Sequence, residues 1–333
     1  MILITGTYPP ERCGVGDYSQ HLMNTTAGQS WTLFYRREWR WSNLRTYMAD
    51  LRRIGDKVIN LQYPTVGYST SLVPHVLAIC AVLLLRKRLY ITVHEYSQLG
   101  WKGKLAINTL FLFAKDIVFT TSFELDCARK HNPWMHKGQV VKIRSNIPAA
   151  KECKPMAERT WDIGYFGYIR PLKGLEEFLP VAEQLQKAGK KVYIMGQTQP
   201  EYKEFYEPFL REVKKRGIKH ISDKTADEVA DILSDTKIMY LPYPDGLSER
   251  RGSFLAAVVN GTAVVSREGS FTSQQQKDRF ALVSTKNVVE KISAWLDNQR
   301  WLEQQKANSL NYAEQSVPES WEQIAEEYNR IMK

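Results

Sequence analysis

Short apolar runs recur along the chain at 1–5, 31–35, 57–62, 89–94, 116–120 and 139–143. Between them, apolar residues return at helical spacing near 16–27, 42–54, 72–86, 101–114 and 122–131. A second set follows, with strand-like runs at 161–167, 191–196, 218–221, 237–241 and 263–265 and helical stretches near 173–188, 201–216, 225–234 and 254–260. Strands that short, alternating with helices, predict α/β architecture with parallel, doubly wound sheets. The stretch 149–159 is polar and patternless, so it divides the series into domains at 1–149 and 150–317. From Lys286 onward the pattern reads as helical throughout, with 318–333 as a closing segment.

Composition agrees with two domains. The chain has 333 residues, 43% of them hydrophobic and 25% charged, enough for one or two full cores. No solenoid repeat or low-complexity segment interrupts it. Cys13, Cys80, Cys127 and Cys153 are far apart, without C-x-x-C or metal-ligand spacing, and read as reduced thiols of a cytoplasmic protein. Met1-Ile2-Leu3-Ile4-Thr5-Gly6 has no basic n-region or cleavage site and reads as a first strand. The longest apolar stretch, Val73 to Leu85, is too short to span a bilayer and fits a buried helix.

Charge is unevenly placed. Residues 1–150 hold nineteen Lys and Arg against nine Asp and Glu, and so carry the whole net charge of +10. Arg36, Arg37 and Arg40 interleave with Trp39 and Trp41, Arg86-Lys87-Arg88 forms a second cluster, and Trp101, Lys102 and Lys104 open an apolar helical stretch. Tryptophan among cations suits the surface of an anionic membrane, which would make the protein peripheral at the inner face. A solvated basic face gives the same pattern. No nucleic-acid-binding motif accompanies the charge, which argues against that partner.

Tandem doubly wound domains place ligands at the carboxyl ends of their strands, in the cleft between them. Four strand-end loops carry candidate chemistry. The first runs from Thr7 through Tyr8-Pro9-Pro10-Glu11-Arg12-Cys13 to Gly14-Val15-Gly16-Asp17-Tyr18, its glycines permitting close backbone approach to a ligand, and it does not fit the dinucleotide fingerprint. The second, Val93-His94-Glu95-Tyr96-Ser97, ends a strand on a histidine, which by itself is more often structural than functional. The third, Gly167-Tyr168-Ile169-Arg170-Pro171-Leu172-Lys173-Gly174, sets Arg170 and Lys173 at a predicted helix start, suited to a diphosphate. The fourth, Asp245-Gly246-Leu247-Ser248-Glu249-Arg250-Arg251-Gly252-Ser253, joins a buried strand to a helix predicted from Phe254. Its Gly252 and Ser253 N–H groups, with Arg250 and Arg251 beside them, would bind an anion. An ordinary strand–helix loop with a serine cap would look alike.

Together these loops resemble the family-four retaining glycosyltransferases of the GT-B fold, two Rossmann-like domains facing a cleft, over nearly the whole chain. Tyr8-Pro9-Pro10 with Gly14-Val15-Gly16-Asp17-Tyr18 is similar to that family's first loop, and Val141-Lys142-Ile143-Arg144-Ser145-Asn146-Ile147-Pro148 to a pre-linker strand of one subgroup. The third and fourth loops resemble the same subgroup's donor loops, and Glu319-Ser320-Trp321-Glu322-Gln323-Ile324-Ala325 the closing helix that returns to the first domain.

The resemblance implies transfer of a sugar from a UDP- or GDP-linked donor to a glycan or polyprenyl-linked acceptor, with retention, without a metal and with no other cofactor. Arg170 and Lys173 would hold the donor diphosphate and stabilise the charge of the leaving group, and His94 would touch the donor sugar. Gly14, Gly16, Ser248, Gly252 and Ser253 would approach the donor, while Asp17, Tyr18 and Glu95 are acceptor-side or loop candidates. The chain contains no D-x-D triplet. It departs from the family's pair of glutamates eight positions apart: the second falls at Ala256 or Ala257, and Glu249 or Asp245 is left for the first. Two other classes fit the fold: a sugar-nucleotide epimerase, disfavoured by the scarcity of acids in these loops, and a non-catalytic partner subunit.

Overall fold

A computed structural model describes residues 1–11, 13–132 and 135–333. It contains two compact units, one formed by Met1–Ile143 with Pro318–Lys333 and the other by Arg144–Val317. The division comes after Ile143, so the polar stretch expected to open the second domain follows it by a few residues.

The first unit is built on β1 (Ile2–Thr5), β2 (Thr32–Tyr35), β3 (Val58–Tyr63), β4 (Arg88–Val93), β5 (Ala114–Phe119) and β6 (Gly138–Val140). All pair in parallel, in the order β2-β1-β3-β4-β5-β6. The crossovers are α1 (Gly14–Met23), α2 (Leu44–Arg53), α3 (Val73–Leu85), α4 (Trp101–Phe111) and α5 (Ser122–His131). Helices on both faces bury the central strands, so β1 is apolar except for its last residue and β4 is mostly apolar, while β3 buries Asn60 and Gln62 among its apolar residues. On one face Ile4, Leu61, Ile91 and Phe119 meet Leu51, Leu77, Ala81 and Leu110. Chain direction across the sheet reverses between β1 and β3.

The second unit repeats the plan with β7 (Trp161–Phe166), β8 (Val192–Met195), β9 (Lys219–Ile221), β10 (Thr236–Leu241), β11 (Ala263–Ser266) and β12 (Ala281–Leu282), ordered β12-β11-β10-β7-β8-β9 and parallel throughout. Its helices are α6 (Leu175–Lys187), α7 (Lys203–Lys215), α8 (Ala226–Ser234), α9 (Gly252–Val259), α10 (Gln274–Arg279), α11 (Val288–Leu296) and α12 (Gln299–Ser316). Here the reversal lies between β7 and β10. The carboxyl ends of those two strands are where such a sheet opens a crevice.

The tail is helical, as its pattern predicts, in three segments. Asn298 caps a new start at α12 by accepting the Trp301 N–H, and Ser320 does the same for Gln323 after Pro318, opening α13 (Trp321–Ile331). These side chains supply acceptors to N–H groups that a helix start leaves bare. Helix α13 packs with α1 on the second face of the first sheet, where Ile324 and Tyr328 meet Leu3, Leu22, Tyr90 and Val118. Among the described residues, no helix is long and apolar enough to cross a membrane.

Candidate functional site

The loops after β7 and β10 meet at the reversal point of the second sheet. Tyr165, on β7, donates its hydroxyl to the Lys173 carbonyl at 3.1 Å. Gly174 has φ +77°, and a Cβ there would lie 2.0 Å from the Pro242 oxygen. Helix α6 therefore starts at Leu175, after this left-handed glycine, and Arg170 and Lys173 stand in the loop before it rather than in its first turn. Helix α9 starts earlier than expected, at Gly252, with Arg251 at the N-cap and no side chain capping it. The Gly252 and Ser253 N–H groups thus open the helix without intrahelical acceptors. The Ser253 hydroxyl is turned inward, 2.6 Å from the Tyr243 hydroxyl.

The charges converge on Lys173. Burial, then the guanidinium groups of Arg251 and Arg170, push its ammonium down to about 7, with Arg250 adding to the shift and Asp245 opposing it. Arg170 leans on Tyr202, its guanidinium 5.6 Å from the ring centroid and its Nη1 donating to the hydroxyl at 3.4 Å. Arg251 pairs with Asp245 and stacks 4.6 Å above Tyr243, while Arg250 lies 4.9 Å over Phe271. The buried Nε atoms of Arg170 and Arg251 have no hydrogen-bond partner. Cations held this close raise one another's energy, and an anion among them relieves that cost. The arrangement can hold a diphosphate.

The same loop sorts the two candidate acids. Asp245 is occupied by Arg251, whereas Glu249 Oε2 and Ser248 Oγ are buried without a hydrogen-bond partner. Ala256 and Ala257 are wholly buried in α9, so the second family glutamate has no counterpart in this loop. Among the described residues, no group of three His, Cys, Asp or Glu side chains is placed to hold a metal ion, and all four cysteines are free thiols.

In the first unit, His94 follows β4 and is buried. Its Nε2 lies 2.9 Å from Gln62 Oε1, an acceptor, so Nε2 carries the proton and Nδ1 keeps its lone pair. Gln62 donates in turn to Asn60 Oδ1, and Asn60 Nδ2 donates to Thr92 Oγ1 at 3.0 Å. Thr92 and Tyr18 both donate to the Tyr328 hydroxyl, at 3.1 and 3.0 Å, and the Tyr18 ring stands edge-on to His94 at 5.1 Å. Burial pushes the imidazole down to about 3. Tyr18 is therefore an interior residue with a committed hydroxyl, contrary to its expected place on an acceptor loop. The buried amides of Asn60 and Gln62 were missed, although two polar residues in an otherwise apolar strand are a readable signal.

Asp17 is half-buried, its carboxyl raised by burial and lowered less by His21, and Glu95 is also half-buried. A Cβ on Gly16 would lie 3.2 Å from the Thr7 carbonyl oxygen, so this glycine admits its own loop; Gly14 faces open space. At the reversal point itself, a Cβ on Gly67 would stand 1.7 Å from the Gly6 oxygen, a contact the loop motifs did not reveal. Arg12 of the first loop lies outside the described residues.

The expected membrane-facing cluster is rearranged. Trp39 is a core residue, its Nε1 donating to the Arg36 carbonyl at 2.9 Å and its ring edge-on to Tyr47 and Tyr68. Arg36 pairs with Asp50, Arg37 with Glu11 and Arg40 with Glu38. Trp41 and Trp101 are exposed, with Lys102 Nζ 5.5 Å from the Trp101 ring centre and Lys104 beside His131 and Tyr96.

No known family's sequence profile matches the chain, and no curated protein matches it in sequence. Solved structures match its fold over nearly its whole length. Sucrose-phosphate synthase from Thermosynechococcus elongatus is similar at TM-score 0.72 and 13% identity, covering 99% of this chain and 97% of that one. HepE from Anabaena, in complex with UDP and glucose, is similar at 0.71 and 9%, covering 99% and 98%. A glycosyltransferase from Rickettsia africae is similar at 0.70 and 10%, covering 100% and 97%. The two doubly wound units are those of the GT-B glycosyltransferase fold.

Proposed function

We propose that the protein is a glycosyltransferase of the retaining, family-four kind, taking its sugar from a UDP- or GDP-linked donor. One observation carries this reading: Lys173 sits among Arg170, Arg250 and Arg251 at the reversal point of the second sheet, beside the bare N–H groups that open α9. That is a site for a donor diphosphate. Arg170 and Lys173 stabilise the charge that grows on the leaving diphosphate, Glu249 is the acid left free for a ribose hydroxyl, and His94 offers Nδ1 to a sugar hydroxyl. UDP in the HepE complex supports the uridine form of the donor. The acceptor in this reading is a glycan or a polyprenyl-linked glycan of cell-surface polysaccharide, met by a cytoplasmic protein at the inner face of an anionic membrane. The positive excess of residues 1–150 favours that place.

Calorimetric titration with UDP and GDP, followed by a hydrolysis screen of UDP- and GDP-sugars with and without chelator, tests it. Binding lost in Arg170→Ala, together with chelator-resistant hydrolysis of one donor, is the expected result. Nucleotide binding without turnover of any donor would move the protein to the non-catalytic partner class. No binding at all would remove the donor site.

A further inference from the structure

The first unit exposes large aliphatic and aromatic side chains on adjoining helices. Leu83 and Leu84 close α3, Trp101 and Leu105 lie on α4, and Leu112 follows it; each keeps between 62% and 72% of its surface exposed. Positions 101, 105 and 112 are four and seven apart, so they share one side of a helix. Ile107 and Leu110, on the opposite side, enter the core, and Phe111 joins them from the flank. Helices α3 and α4 are in contact and are successive crossovers of one parallel sheet, so they run in the same direction with their last turns side by side. Leu83, Leu84 and Leu112 therefore gather at one end of a two-helix face and Trp101 stands toward the other.

Charge says what covers this face. Neither helix contains an Asp or Glu. Arg86, in the left-handed cap of α3, and Lys102, at the start of α4, are exposed and in no ion pair among the described residues. Apolar side chains that project into solvent, edged by cations, match the boundary between acyl chains and anionic headgroups. Leucines offer nucleic acid neither stacking nor hydrogen bonds, and the cations disfavour a basic partner. We propose that the α3–α4 face inserts into the headgroup–acyl boundary of an anionic bilayer. This deepens the membrane part of the preceding reading by naming the surface, which differs from the paired arginines near Trp39. It rests on surface composition, independent of the donor site.

Insertion and charge attraction separate in salt, because screening weakens one and leaves the other. The purified full chain is co-sedimented with phosphatidylcholine vesicles and with vesicles containing one-third phosphatidylglycerol, at low and high salt. The wild type binds the anionic vesicles, weakens with salt and retains a bound fraction. Leu83→Ser/Leu84→Ser, and separately Leu105→Ser, lower the partition at high salt by tenfold or more while UDP binding persists. Bromine-labelled acyl chains quench the fluorescence that Trp101→Phe removes. Unchanged partition of both leucine variants, or absent quenching, overturns the proposal. So does a dimer in solution that the same variants dissociate without any vesicle binding by the wild type. Loss of UDP binding in the wild type bears only on the transferase reading.

Discussion

Gly174 and Pro242 meet backbone to backbone: a Cβ on the first would lie 2.0 Å from the carbonyl oxygen of the second. The contact ties the loop after β7 to the loop after β10, and so sets the distance between Lys173 and Arg251. Gly189 offers the comparison, since its φ of +81° is equally left-handed while its Cβ would meet nothing. Gly189→Ala is expected to cost only the backbone strain, about 1–3 kcal/mol. Gly174→Ala adds a clash with a carbonyl, so it should cost more in thermal unfolding and also weaken UDP or GDP binding. Equal losses in both variants, with nucleotide affinity intact, would show that the two loops can part freely.

Arg170→Ala and Lys173→Ala are each expected to cut turnover by roughly a hundredfold or more, the scale of removing one donor that stabilises developing charge. The double variant should lose less than the product, because in the proposed reading both cations would face one diphosphate. Steady-state kinetics with the donor found by the hydrolysis screen gives the numbers. Wild-type rates in both single variants would remove the loop from the mechanism.

The depression of Lys173 to about 7 makes donor binding depend on pH. An anion among Arg170, Arg250 and Arg251 favours the ammonium form, so the bound state holds more protons than the free state near and above pH 7. Donor affinity is therefore expected to fall as pH rises from about 7, with proton uptake on binding. A nucleotide sugar is the right ligand, because its diphosphate is esterified at both ends and does not itself titrate there. Titration calorimetry in buffers of different ionisation enthalpy measures the uptake, and Lys173→Met should abolish it. A pH-independent affinity in the wild type would contradict the electrostatic picture.

Much of the fold is legible in the sequence. Strands such as Val192–Met195 and Ala263–Ser266 are buried along their whole length, so their sequences announce themselves as apolar runs between helices. The loops after β7 and β10 stand out because arginine, lysine and glycine cluster between such runs. Elements without a period escaped: α10 is Gln274–Arg279, all polar or charged, and β12 pairs only Ala281 and Leu282. Trp39 reads as a surface residue because Arg36, Arg37 and Arg40 lie near it in the chain, whereas its neighbours in space are Tyr47 and Tyr68. Spacing alone also left Asp245 and Glu249 equivalent, and only the ion pair to Arg251 separates them.

His94 should stay neutral across the working pH range. Its pKa of about 3, lowered by burial, lies below the ordinary value, as does that of buried His75 at about 4. The unfolded chain then binds more protons than the folded one below about pH 6.5, so stability should fall as pH drops from there toward 4. Replacing His75 by Phe should flatten part of that fall. For His94, nitrogen-resolved magnetic resonance should find the proton on Nε2, facing Gln62, and Gln62→Leu should release that preference. His94→Ala should lower turnover more than nucleoside diphosphate affinity. A proton found on Nδ1 would reverse the polarity of the Asn60–Gln62 chain.

The closing helix is expected to act as a structural part of the first unit. Glu322 accepts the Thr26 and Ala27 N–H groups, each at 2.8 Å, and Trp321 stacks on His21 with ring centres 4.7 Å apart. Beneath them Tyr328 receives the hydroxyls of Tyr18 and Thr92, and Trp31 donates to Asn329 at 2.9 Å. Deleting 318–333 would uncover Leu3, Leu22, Tyr90 and Val118 and leave the Tyr18 hydroxyl without its acceptor. Each buried apolar side chain returned to water costs about 1.5–3 kcal/mol, enough in sum to unfold a domain of ordinary stability. The truncated chain should therefore lose protease resistance in 1–143 while 144–317 stays resistant and still binds nucleotide. Glu322→Ala, which removes two charge-assisted bonds at a partly exposed site, should cost about 1–3 kcal/mol and leave the fold intact. Limited proteolysis with mass assignment of the fragments distinguishes the outcomes: protection of both segments after truncation would mean that α13 merely rests on the first sheet.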